Sequence, residues 1–315
     1  MTLQKTTIDW LKFRTQSNPF KIIDSLLPAF GTCRDMVTLL PAGKGRDGWE
    51  KRQEIMLTDI RLGAIDYGGE SQRGWVRVDM SATGCDWIQD WGKVSDLGSV
   101  LDGFEPKRVD IALTTFKGEI TDLMIVQAHA DGFFSGFGRP PVMRSIVSSN
   151  PRDGKTRYIG SREKSDKFLR CYEKGFEMIK NLPEFLKKGC THVINGTTKV
   201  EDVYRVELEL KDATTKIPSD VFIKRDEYFA GAYPFLAQLL PGVQALKIDR
   251  LPDEKPVAEL AKMLAHLKSA YGSTLFTAMH VYDGDAEKVL RMIMGSEHSR
   301  KLVEAGVLTV DFNAR

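Results

Sequence analysis

Two tyrosines stand among cations in the stretch KTRYIGSREKSDKFLRCYEKG, residues 155–175. Arg157 and Arg162 bracket Tyr158, Arg170 and Lys174 bracket Tyr172, and Lys164 and Lys167 lie between them. A tyrosine oxygen can attack a phosphodiester and retain the phosphate as a covalent phosphotyrosine. That step needs positive groups to hold the charge that develops on the phosphoryl oxygens. Arginine, lysine or a divalent cation can supply them. Gly160 and Gly175 would let a backbone approach closely. Alternation along a strand puts Tyr158, Gly160 and Arg162 on one face, and Phe168, Arg170, Tyr172 and Lys174 on one face of the next. Whether these two faces coincide depends on the hairpin register, and a one-residue slip reverses the answer. The ordinary alternative for either tyrosine is a packing or interfacial role.

Two further strands carry acids in a suggestive place. In RVDIALTTF (108–116), Val109, Ile111 and Leu113 alternate with Arg108, Asp110, Ala112 and Thr114. In YRVELEL (204–210), Val206, Leu208 and Leu210 alternate with Arg205, Glu207 and Glu209. Asp110 and Glu207 thus lie on polar faces, each two residues after an arginine. In neighbouring strands they could converge as hard oxygen ligands for Mg²⁺ or Mn²⁺. A wet outer face of an antiparallel sheet would produce the same alternation. The five histidines form no HxH or HxxxH pattern, which argues against a histidine-held metal but not against a carboxylate-held one.

Charge supports a phosphate partner. The chain carries +2 overall, yet residues 141–180 contain ten Lys/Arg against five Asp/Glu, so the remainder sums to −3. A local basic field of this kind suits nucleic acid, and a solvated polar hairpin is the bland alternative. The four cysteines (Cys33, Cys85, Cys171 and Cys190) show no zinc-ligand spacing and read as reduced thiols. No signal-like N-terminus and no long apolar run is present, so the expectation is a cytoplasmic protein without a membrane partner.

The elements that must position these residues are α+β. Strands are expected at 6–15, in the hairpin RLGAIDYGG/GWVRVDMS, at 108–116, in VMRSIVSS, KTRYIGSR and KFLRCYEKG, and at 203–212. Helices are expected at 18–31, over GCDWIQDWGKVSDLGSVL, at 119–133, and over FEMIKNLPEFLKKG with an interruption near Pro183. The order suggests helices on one face of a largely antiparallel sheet, with a duplicated ferredoxin-like unit as one reading. An α+β body at 1–250, with internal halves 1–107 and 108–250, would precede a helical region at 251–315. There Pro256 opens a helix, Val257, Leu260, Leu264, Leu267 and Tyr271 keep helical spacing, and Gly272 is the expected stop. Helices at 285–294 and 297–305 could form a helix-turn-helix or a simple cap on the sheet.

RVDIALTTF, GRPP, RYIGSREKSDKFLRCYEKG and YRVELELK, in this order, resemble the replication initiation factor family. It holds rolling-circle initiators of filamentous phages and Gram-positive plasmids and related conjugative relaxases. TIDWLKF and MSATGC resemble its N-terminal part, and the likeness spans roughly residues 5–235. The resemblance implies a metal-dependent strand transferase that nicks one strand of its replication origin, in single-stranded or supercoiled form. It would hold the 5′ phosphate on tyrosine and leave a 3′-OH for a host polymerase, with a host helicase as a further partner; a homodimer is compatible with it. Carried over, Asp110 and Glu207 become metal ligands, and Arg162, Arg170 and Lys174 contact phosphate, with Arg157, Lys167, Arg108 and Arg205 as additional cations. Tyr158 is the first choice of nucleophile and Tyr172 the second. The chain departs from the family pattern at Thr114 and Thr115, where acids are expected; if the metal needs an acid there, either the protein is impaired or another carboxylate, with Glu173 as the candidate, takes its place. A non-catalytic DNA-binding protein and a water-using phosphodiesterase are the competing readings.

Overall fold

A computed structural model of the chain describes residues 5–135, 140–163, 165–181, 193–194, 198–248 and 255–304. Part of GRPP, Lys164, Cys190, His192, the expected interruption at Pro183 and most of LPDEKP lie outside the described residues. The chain divides into two compact units, Met1–Asp249 and Arg250–Arg315.

The first unit is built on one ten-stranded antiparallel sheet. Its strands are β1 (Thr7–Thr15), β2 (Val37–Lys44), β3 (Lys51–Leu57), β4 (Ile60–Tyr67), β5 (Val76–Met80), β6 (Glu105–Thr115), β7 (Met143–Val147), β8 (Lys155–Ile159), β9 (Lys167–Tyr172) and β12 (Tyr204–Lys211); β10 (Val193–Ile194) and β11 (Thr198–Lys199) form a separate small ribbon. The order β2-β3-β4-β5-β1-β6-β12-β9-β8-β7 reads the same from either end if β1 is matched to β6. Each half is therefore a split β-α-β unit in which three strands separate two that run the same way. A ferredoxin-like unit would place one strand there; here each half has gained a hairpin.

Alternation assigns the two faces. Leu11, Phe13, Val109, Ile111, Val206, Leu208, Leu169 and Ile159 point into one core. Against them pack α1 (Pro19–Leu26) through Ile22 and Leu26, α3 (Trp91–Val100) through Val94 and Leu97, α4 (Asp122–Ala130) through Ile125, α6 (Arg225–Ala232) through Phe229, and α7 (Pro234–Leu239) through Phe235 and Leu236. Burying such side chains is the main driving force of the fold, roughly 1.5–3 kcal/mol each. Helices α1 and α4 start where the sequence caps them. Asn18 accepts from Lys21 N before Pro19, and Thr121 accepts from Met124 N before Asp122. Two short helices, α2 (Ala82–Asp86) and α5 (Lys174–Lys180), border the opposite, polar face instead.

The second unit holds α8 (Lys255–Val281), α9 (Ala286–Ile293) and α10 (Arg300–Glu304), with α9 and α10 against α8. Helix α8 does not stop at Gly272 but runs through it to Val281. Glycine costs an interior helical position only about 1 kcal/mol, which the surrounding good helix formers offset.

Candidate active site

The hairpin register answers the question the sequence leaves open. Strand β8 pairs with β9 so that Tyr158 opposes Arg170 and Thr156 opposes Tyr172. Tyr158, Arg170 and Tyr172 therefore share a face. On β12, Glu207 opposes Arg170, Arg205 opposes Tyr172, and Glu209 opposes Phe168. On β6, Asp110 opposes Glu209, and Ala112 opposes Glu207. The result is two rows across the middle of the sheet, Tyr158–Arg170–Glu207–Ala112 and Phe168–Glu209–Asp110–Trp10.

This face is polar but closed in. Asp110, Glu207 and Glu209 are all buried. Arg108 grips Asp110 with two hydrogen bonds, 2.8 Å from Nε and 2.5 Å from Nη2, and reaches Glu209 at 3.0 Å. Burial still raises the Asp110 carboxyl to about 6, with Glu209 and Asp9 adding to the rise and Arg108 opposing it. Glu207 is pushed further, to about 7, by burial and by the charges of Asp9 and Asp110. Its Oε2 is buried and receives no hydrogen bond; Arg170 Nη1 stands 3.8 Å away, beyond hydrogen-bond reach. A buried carboxylate oxygen without a donor is costly unless a cation or proton meets it.

The tyrosines differ in setting. Tyr172 is buried, with the Arg170 guanidinium 4.1 Å from its ring centroid and Lys174 Nζ 5.6 Å away. Burial drives its phenol well above the ordinary range. Tyr158 is half-buried and stacks on Phe168, centroids 5.6 Å apart and planes 19° apart. Arg162 leans over the other partner of that stack, 5.8 Å from the Phe168 ring, and its Nε meets Glu209 at 3.1 Å while its side chain stays largely exposed. Arg170 is loosely held: its nearest acids are Glu207 at 3.8 Å and Glu177 at 3.9 Å, and its Nε has no acceptor.

Three of the cations and acids expected here are elsewhere. Arg157 opposes Cys171 and so faces the helices, where Asp122 binds it at 2.7 Å through both Nε and Nη2. Lys167 opposes Leu210 on that same side and donates to Ala232 O at 2.8 Å. Glu173 immediately precedes α5 without capping it, and its carboxylate accepts from Lys155 N at 2.7 Å, away from Asp110 and Glu207. Each of the three sits one residue out of phase with the polar face, and period-2 alternation removes it. Lys174 stays at the site's edge but is paired with Glu177 at 2.6 Å. Arg205 lies within the site, donating to Thr114 Oγ1 at 2.8 Å and to Asp9 Oδ1 at 2.8 Å. Thr114 thus serves as an acceptor for an arginine where an acid is expected.

The structure also brings in β1, none of whose residues stood among the sequence's site candidates. The β1–β6 pairing shifts register between Ile8 and Trp10, so both Asp9 and Trp10 sit over the polar face. A bulge of this kind re-aims a side chain. The acid of TIDWLKF was visible in the sequence, but strict alternation gives no reason to expect two consecutive residues on one side. Among the described residues no three His, Cys, Asp or Glu side chains are already gathered as a metal site.

The sequence profile of the replication initiation factor family matches residues 105–294, more than half of the chain. The chain belongs to the replication initiation factor family. The matched stretch begins with β6 and takes in both tyrosines, Asp110 and Glu207, whereas Asp9 and Trp10 precede it. Among solved structures, the rolling circle replication initiator protein from Geobacillus stearothermophilus is similar in fold, with a TM-score of 0.53 and 19% sequence identity over 78% of this chain and 98% of that one. No curated protein matches. For a replication initiation factor the polar face described above is the natural place to look for chemistry. It is where this family member buries carboxylates beside two tyrosines and an arginine with unmet hydrogen-bonding capacity.

Proposed function

We propose that this protein initiates rolling-circle replication by nicking one strand of its origin DNA with Tyr158. The observation that carries the reading is the register that puts Tyr158, Arg170, Glu207 and Asp110 on one face. In the step envisaged, the Tyr158 oxygen bonds to phosphorus as the bond to the 3′ oxygen breaks. The phenol gives up a proton and the 3′ oxygen takes one, so the products are a 5′-phosphotyrosyl protein and a free 3′-OH. Arg170 and Arg162 would hold the phosphoryl oxygens, since Arg170 has no acid within hydrogen-bond reach and Arg162, though its Nε meets Glu209, keeps its side chain largely exposed. Tyr158 is favoured over Tyr172 because it is accessible, while Tyr172 is buried and its phenol is hard to ionise.

The carboxylates fit Mg²⁺ or Mn²⁺. Mg²⁺ is commonly bound by one or two carboxylates, with water and substrate phosphate completing its shell. Glu207, with an unmet oxygen, and Asp110 would hold it, and when bound it would neutralise charge on the phosphoryl group. Incubating supercoiled origin DNA with the protein and Mn²⁺ tests the reading. A nicked circle carrying covalently attached protein is expected, lost in Tyr158→Phe and kept in Tyr172→Phe. Uncut DNA with salt-sensitive binding would leave the non-catalytic DNA-binding reading instead. Cleavage without any trapped protein would point to a water nucleophile. Whether the nicked site serves replication or conjugative transfer follows from which origin is cut.

A further inference from the structure

Asp9 has no role in the step just described, yet the fold goes to some length to bring it there. Asp226 on α6 accepts hydrogen bonds from Lys5 N (2.7 Å) and Thr6 N (2.8 Å), and Arg225 Nε donates to Thr6 O at 2.7 Å, which pins the start of β1. The bulge then leaves Asp9 and Trp10 together on the polar side. The Asp9 carboxylate is bound to Arg205, which stands two residues before Glu207 on β12 and on the same face. The second observation is Glu207, 8% exposed, whose Oε2 has no hydrogen-bond partner. The nearest cation on Asp9 is Arg205, whose Nη1 binds it and whose Nε is held by Thr114.

We propose that Asp9 is a ligand of the divalent cation together with Glu207, and that Arg205 is its counter-ion until the cation binds. In the arrangement seen, Asp9 is turned to Arg205 and Asp110 to Arg108, so the carboxylates are not gathered. A cation placed against the unmet oxygen of Glu207 would draw Asp9 from Arg205. The freed guanidinium, still anchored through Thr114, would then face the DNA phosphate. The N-terminal half thereby supplies a ligand to a site otherwise contained in the second half. This inference rests on the nicking reading of the same site.

Mn²⁺ titration of the full-length, metal-free protein without DNA, read by the disappearance of the free-ion paramagnetic resonance signal at pH 8, tests it. Asp9→Asn and Glu207→Gln should each weaken Mn²⁺ binding at least ten-fold. Asp79→Asn should leave binding unchanged, since Asp79 is on the same face but tied to Trp10 Nε1 (2.7 Å) and Lys12 (3.0 Å). Arg205→Gln should tighten binding, and the gain should vanish in the Asp9→Asn/Arg205→Gln double variant. Thermal melts in chelator would identify a variant that has lost its fold, and the Arg205→Gln comparison carries the test in that case. Wild-type affinity in a folded Asp9→Asn protein overturns the proposal. So does a wild-type protein that binds no Mn²⁺, even if it forms the tyrosyl adduct, in which case the nicking reading stands alone. Mn²⁺ binding that depends on Asp9, with no adduct on any origin DNA, would uphold the ligand and sink the nicking reading.

Discussion

At the scale of single residues, the site is a set of charges left partly unpaired. Its members were legible in the sequence because Asp110 and Glu207 follow arginines on strands with clear apolar alternation. Arg157, Lys167 and Glu173 were drawn in by proximity along the chain, and alternation sends them elsewhere. Asp9 was not legible, because a bulge is a tertiary decision made by the pairing of β1 with β6. The raised Glu207 carboxyl leads to a prediction with a definite sign. In the unfolded chain Glu207 ionises near its ordinary value of 4.5, whereas in the folded protein it does so at about 7. Between those values the unfolded state binds fewer protons, so stability falls as pH rises and the full cost is present above pH 7. In chelator, Glu207→Gln should be as stable as wild type near pH 4.5 and more stable at pH 8, by up to about 3 kcal/mol. Urea titrations at the two pH values measure this. A Glu207→Gln protein less stable than wild type at pH 8 would show that the carboxylate is favourably solvated after all.

At the scale of elements, the hairpin and the helix after it set where the tyrosines stand. The strands that flank the site read plainly from sequence, since each buries one face. β2 and β3 did not. They lie at or next to the sheet's edge, β2 is mostly exposed and contains Pro41, and KRQEIML mixes polar residues into both faces. Two glycines carry the local geometry. Gly160 follows β8 with φ of +96°, a conformation that L side chains rarely adopt, and a Cβ there would also press Lys167 O at 3.2 Å. Gly160→Ala should cost about 1–3 kcal/mol. Gly175, the second residue of α5, packs against the chain at Val200, where a Cβ would fall 2.0 Å from Val200 O. Gly175→Ala should therefore push α5 outward and cost about 1–3 kcal/mol, typical of overpacking. Because Lys174 precedes it and lies by the Tyr172 ring, Gly175→Ala should also change the environment of Tyr172. Denaturant melts together with tyrosine ring NMR would check both. An unshifted Tyr172 resonance in a destabilised Gly175→Ala protein would separate α5 from the site.

At the scale of the whole first unit, the sheet's symmetry shows what each half has kept. Tyr158–Arg170–Glu207 crosses β8, β9 and β12, and a row on the same face of the matching strands β3, β4 and β5 reads Arg52–Asp66–Arg77. This second row is closed. Asp66 is fully buried and accepts from Arg52 at 2.8 and 3.0 Å and from Arg77 at 2.8 and 3.1 Å, and Arg77 also binds Asp47. The first row leaves Glu207 Oε2 and Arg170 Nε without hydrogen-bond partners, while the second satisfies its acid on both sides. One row is arranged for a ligand and the other for holding strands together. Asp66→Ala would leave the guanidinium of Arg52 buried without its acid, and breaking such a buried pair costs about 3–5 kcal/mol. The location of that loss distinguishes two ways of viewing the duplication. The buried core is one cluster running from Leu57 and Ile65 through Leu11 and Val109 to Leu208 and Ile159, and β1 and β6 are hydrogen-bonded along most of their length. The halves should therefore unfold together. Hydrogen exchange in Asp66→Ala should show amides of β9 and β12 losing protection in step with those of β3 and β4, although no altered residue touches the former. Protection retained in β9 and β12 while β3 to β5 open would mean that the halves are separate folding units sharing an edge, and that the site's stability does not depend on its silent twin.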